Sequence, residues 1–135
     1  MALMTWSDSM SVGIARIDKE HQGLIALINQ LNNEVAAGKT KEVLDGVFTK
    51  LIDYTKSHFS YEESLLRSNS YPNLPTQNKE HVGFTQKVIE MQTNFKSGKS
   101  VLGSPILTFL SNWLVNHILK EDMAYKPFLA TKGLK

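Results

Sequence analysis

Read in alternating steps of four and three residues, the chain yields four apolar stripes, and all four of its histidines lie on them. The first is Ile17, His21, Leu24, Ile28, Leu31, Val35. The second is Leu44, Phe48, Leu51, Thr55, His58, Glu62, Leu65. The third is Gln77, His81, Phe84, Val88, Met91, Phe95, and the fourth is Ile106, Leu110, Trp113, His117. This period is the signature of helices that each bury one face against the others. The pattern predicts an all-α, up-down-up-down antiparallel four-helix bundle.

The breaks between stripes support this order. Helices are expected over about Asp18 to Ala37, Lys41 to Arg67, Thr76 to Lys96, and from Ser104–Pro105 to about Lys120. Gly38 and Gly98 suit the left-handed turn that ends a helix, and Ser104–Pro105 is a helix-start pair. Residues 1–17 are expected as an extended arm packed through Trp6, Val12, Ile14 and Ile17, and Asp122 to Ala130 as a short C-terminal helix. No sustained period-two alternation argues for strands, and Asp45-Gly46 sits inside a helical stripe. The 135 residues suit one domain, 1–135, with one core.

Composition removes several function classes. The chain has no cysteine, which excludes thiolate-zinc sites, cysteine-ligated clusters and disulfide scaffolds. Its 15 basic and 13 acidic residues are mixed, with no basic stripe to hold a nucleic acid. No apolar run is long enough to cross a bilayer, and residues 1–10 lack the pattern of a signal peptide. A cytoplasmic protein is the expectation.

Any one histidine on an apolar face is ordinarily a hydrogen-bonded core residue. Four of them with Glu62 and Gln77 are harder to bury without partners. Metal coordination uses imidazole nitrogen and carboxylate oxygen together, and leaves each second ring nitrogen for an acceptor. His58 and Glu62, one helical turn apart, present both donors to one point. Asp122 follows His117 by five residues, more than a turn, and reaches the same point only if the helix loosens there. Imidazoles and carboxylates without thiolates suit iron, manganese or zinc, and so many donors exceed the needs of one ion.

The segments Ile17-Asp18-Lys19-Glu20-His21, His58-Phe59-Ser60-Tyr61-Glu62-Glu63, Lys79-Glu80-His81-Val82-Gly83-Phe84 and Trp113-Leu114-Val115-Asn116-His117, the last running on to Asp122 and Tyr125, together resemble the hemerythrin family. Trp6 and Ser11-Val12-Gly13-Ile14 extend the resemblance to nearly the whole chain. It implies a non-haem di-iron protein that binds dioxygen for carriage or delivery, without being an enzyme. His21 and His58 would ligate one iron, which keeps a position open for dioxygen. His81 and His117 would ligate the other, and Glu62 and Asp122 would bridge the pair beside an oxo or hydroxo group. Leu114, Trp113, Phe59 and Tyr125 would line the oxygen pocket or support the ligands. A monomer is implied, with room for an oxygen-consuming protein as partner.

One position departs from the family pattern. Gln77 stands where a histidine is expected one turn before His81. Its amide oxygen could ligate, it could hold a water ligand, or it could swing away. The change would weaken the second metal position and threaten the reversibility of oxygen binding. Two other readings compete: a di-iron oxidase, ferroxidase or peroxidase-like enzyme, and an oxygen or redox sensor module. The chain lacks the paired Glu-x-x-His motifs of ferritin-like di-iron enzymes, and its length leaves no room for a signalling partner domain.

Overall fold

The computed structural model describes residues 3–99 and 101–135. Met1 and Ala2 of the expected arm, and Ser100, lie outside the described residues. Among the described residues there are five α-helices: α1 Ala15–Ala36, α2 Lys41–Ser68, α3 Leu74–Lys96, α4 Ser104–His117 and α5 Met123–Ala130. The first four form the bundle. α1 packs on α2 and α4, and α2 packs on α3. Short loops reverse the chain between them. Gly38 (φ +69°) and Gly98 (φ +81°) take the left-handed conformation that closes α1 and α3. Thr40 caps α2, its hydroxyl oxygen accepting from the Val43 amide.

The stripes are largely the buried faces; Val35 and Met91 are half-buried, and two of the stripes shift. In α2 the stripe rotates past Glu62, so that Leu66 is buried and Leu65 only half-buried. In α4 the buried residues are Leu107, Leu110, Ser111, Leu114 and His117, while Ile106 and Trp113 are half-buried. The expected α4 stripe was therefore one residue out of phase at two of its four positions. Trp113 instead lies at the edge of the core, stacked on Phe84 at 4.0 Å between ring centroids and on His117 at 4.4 Å.

The N-terminal arm is shorter than expected. It contains a 3-10 turn at Asp8–Met10, and α1 starts at Ala15, not Asp18. Asp18 sits in the first turn, where its carboxylate accepts from the Val12 amide at 2.9 Å and from the Ser11 hydroxyl. An acid there satisfies amides of the incoming chain and suits the helix N-terminus. The Asn29 side chain clamps the arm further out, exchanging two hydrogen bonds with the Met4 backbone. Met4, Met10, Val12 and Ile14 are buried, and Trp6 is half-buried.

The largest departure lies after α4. In place of a helix ending near Lys120 and a separate one from Asp122, α4 runs through a π-helical turn, Ile118–Asp122, into α5. The Met123 amide donates to the Ile118 carbonyl five residues back. A wider turn of this kind brings residues five apart onto one face.

The core has two parts. A large cluster built around Phe48, Leu31, Leu51 and Leu110 fills the bundle, and a smaller one joins Val12, Ile14, Ile17, Leu66, Tyr71, Tyr125 and Leu129. Leu24 and Ile17, one turn either side of His21, belong to different clusters. Nearly all the buried polar side chains belong to one layer: His21, His58, Glu62, Gln77, His81, His117 and Asp122.

Candidate metal centre

Each bundle helix contributes a histidine to this layer, and none is more than 4% exposed. α1 carries His21, α2 carries His58 and Glu62, α3 carries Gln77 and His81, and α4 carries His117. Asp122 closes the π turn. That turn is the loosening that the spacing from His117 required, and it places the Asp122 carboxylate 3.1 Å from His117 Nε2 and 3.1 Å from His21 Nε2.

The donors fall into two overlapping groups. Glu62, His81, His117 and Asp122 bring one donor atom each within 4.8 Å of all the others, and His21, His58 and Glu62 do the same. Glu62 belongs to both. Its Oε1 lies 3.0 Å from His81 Nε2, and its Oε2 lies 3.8 Å and 3.7 Å from His21 and His58 Nε2.

Three carboxylates outside the layer orient the rings. Glu20 Oε1 is 2.7 Å from His58 Nδ1, Glu63 Oε2 is 2.7 Å from His81 Nδ1, and Glu80 Oε1 is 2.8 Å from His117 Nδ1. Each lies one helix before the ring that it serves: α1 to α2, α2 to α3, α3 to α4. Sequence reasoning assigned these residues no role. Their signal was adjacency, since Glu20, Glu63 and Glu80 each flank a donor of their own helix. A carboxylate on Nδ1 fixes the proton there and turns the Nε2 lone pair inward.

The consequence is clearest at His81 and His117. Both Nδ1 atoms face carboxylates, so the two inward Nε2 atoms present lone pairs to each other at 3.1 Å. That arrangement calls for a cation between them, a proton in the metal-free protein or a metal ion. Other buried atoms also lack hydrogen-bond partners: both nitrogens of His21, Glu62 Oε1, Gln77 Oε1 and Asp122 Oδ2. Several are close to opposite donors without the alignment of a hydrogen bond, as expected of atoms aimed at a common centre.

Electrostatics point the same way. Burial opposes charge on His21, but Asp122 and Glu62 outweigh it and raise its pKa to about 9. Burial is likewise overcome at His117, where Asp122 and Glu62, with Glu80, raise it to about 9. Burial pushes Glu62 up, yet the histidines hold its carboxyl well below the usual range, and Asp122 is lowered in the same way. The layer is a buried anionic site that recruits positive charge. Its donors fit metal ions of the imidazole- and carboxylate-binding class.

Glu62 and Asp122 also each accept a hydrogen bond from a buried side chain. The buried Tyr125 phenol donates to Glu62 Oε2 at 2.7 Å, and the Gln77 amide donates to Asp122 Oδ1 at 2.9 Å. Burial, followed by the charge of Glu62, pushes the Tyr125 phenol well up, so it stays a donor. Gln77 does not swing away; it is 1% exposed and turned into the layer.

The remaining expected residues form an apolar surround. Phe59 stacks on His81 with centroids 3.7 Å apart and planes 2° from parallel. Trp113 stacks on His117. Leu114 is buried in the large cluster.

The comparisons with known proteins agree with this geometry. A family model described as "Hemerythrin HHE cation binding domain" matches residues 12–129. Bacteriohemerythrin from Stenotrophomonas maltophilia is 36% identical over 126 residues, covering 93% of this chain and 80% of that protein. Bacteriohemerythrin from Methylococcus capsulatus is 32% identical over 136 residues, covering 96% and 99%. A crystal structure of wild-type hemerythrin superposes with a TM-score of 0.88 at 28% identity, covering 93% of this chain and 97% of that one. From its buried His, Glu and Asp layer to its bundle topology, the chain belongs to the hemerythrin HHE cation-binding family.

Proposed function

We propose that the chain holds two iron ions in this layer and binds dioxygen there, as a carrier or delivery protein and not as an enzyme. His21 and His58 would hold one ion, His81 and His117 the other, with Glu62 and Asp122 shared between them. The observation that carries the reading is the pair of inward-facing Nε2 atoms of His81 and His117, 3.1 Å apart with both outer nitrogens on carboxylates. Iron held by these residues would supply the electrons for dioxygen binding.

The protein's own residues would do the rest. Glu20, Glu63 and Glu80 aim the rings. Tyr125 and Gln77 hold the shared carboxylates. Phe59, Leu114 and Trp113 keep water and reductants from that space, since their apolar faces give a proton no carrier. Beyond the shared carboxylates the first ion would have only His21 and His58, whereas Gln77 stands one turn from His81 beside the second, which favours the His21 and His58 side for an incoming ligand. The similarity to bacteriohemerythrins, and to a myohemerythrin from Theromyzon tessulatum at 30% identity, supports the carrier reading over an oxidase or a sensor.

The test is an optical titration. Protein loaded anaerobically with ferrous iron should hold two ions per chain. It should develop a visible band under dioxygen that fades when the gas is removed. Immediate, irreversible oxidation would end the carrier reading, and one iron or none per chain would end the two-metal reading.

A further inference from the structure

We propose that Gln77 is itself a metal ligand, offering its neutral amide oxygen to the ion held by His81 and His117; this rests on the two-metal reading and extends it. Gln77 and His81 are one turn apart on α3, so they address the same space. The amide orientation follows from its partner. A carboxylate oxygen only accepts, so the atom 2.9 Å from Asp122 Oδ1 is the nitrogen.

The oxygen then sits on the same rigid plane, about 2 Å from that nitrogen by amide bond lengths. It is buried and has no hydrogen-bond partner. Asp122 Oδ1 lies 3.1 Å from His117 Nε2, which lies 3.1 Å from His81 Nε2. The amide therefore abuts the donor group of this half, with its nitrogen anchored and its oxygen unspent. A glutamine that only braced Asp122 would leave a buried carbonyl unsatisfied, which native interiors avoid. A cation in this half satisfies it. The amide nitrogen then orients the ligand, as carboxylates orient the histidines.

Two substitutions separate ligation from bracing. Gln77→Leu removes both the oxygen donor and the N–H. Gln77→Glu keeps an oxygen donor and loses the N–H. The full-length, metal-free protein is titrated with zinc against a competing chelator, with helicity followed in parallel. For Gln77→Leu, one of the two zinc equivalents should weaken by at least the roughly 10- to 100-fold that loss of an outer-shell partner costs, while the other is unchanged. Gln77→Glu should bind both as tightly as the unsubstituted protein or tighter.

If Gln77→Glu weakens one equivalent as far as Gln77→Leu, the residue acts only through Asp122 and the proposal falls. It falls equally if Gln77→Leu changes neither. Fewer than two zinc ions on the unsubstituted protein would take the two-metal reading with it. Should either variant fail to fold, the unsubstituted protein still decides. The side-chain carbonyl carbon of Gln77 should shift in its NMR spectrum as zinc fills this half, and an unmoved resonance overturns the proposal.

Discussion

The two halves of the buried layer are built from the same donor types but differ in how firmly these are held. In the His81 and His117 half, both imidazoles are anchored by carboxylates, both stack on aromatic rings, and four residues bring donors together. In the His21 and His58 half, only His58 is anchored, by Glu20. His21 has no hydrogen-bond partner on either nitrogen, and the group holds three residues. Anchoring costs mobility before the metal arrives, and less is lost on binding. On the proposed two-metal reading, one half is therefore the more preorganised for its ion, while the donors of the other are less constrained.

The strongest way to break the comparison is to remove what the halves share. Glu62→Ala should abolish binding of both ions, seen as near-zero metal content, because each group loses its common carboxylate. Retention of two ions would show that the halves are independent. Next in size, His117→Ala and His21→Ala should each leave one ion per chain. The ion kept in His21→Ala should be the tighter, measured by chelator competition.

Anchor removal should act more gently. Glu63→Gln and Glu80→Gln are each expected to lower affinity in the preorganised half by about 10- to 100-fold. Glu20→Gln should lower affinity only in the other half. Equal losses in both halves from any one anchor would erase the distinction. Tyr125→Phe should cost the metal-free fold about 1.5–3 kcal/mol, the worth of a hydrogen bond to a charged group, read by denaturant unfolding.

The metal-free protein should also show a pH dependence. His21 and His117 have pKa values raised from 6.5 to about 9 by the buried carboxylates. Their contribution is full below pH 6.5 and is lost as pH rises through about 9. Glu62 and Asp122 are lowered, so their contribution is present above the ordinary carboxylate values of 4.5 and 3.8 and is lost as pH falls. The melting temperature should therefore peak between these ranges. Metal loading should remove the alkaline decline, because the ions replace the protons.

The bundle and most of the layer's membership were legible along the chain. Helical periodicity is a local property, and the stripes put every histidine, Glu62 and Gln77 on core faces before any contact was known. Its errors were also local in kind: α4 was read one residue out of phase at Ile106 and Trp113, because a run as apolar as Ile106–Val115 shows no sharp polar face. Tertiary structure decided the rest. The spacing of Asp122 from His117 called for a loosened helix, and the fold supplies it as a π turn. The work of Glu20, Glu63 and Glu80 is invisible along the chain, since each serves a ring on the next helix. The aim of the Gln77 amide follows from Asp122, 45 residues away. A repeat of 3.6 residues states which face is buried; only the assembled helices state which atoms on that face meet.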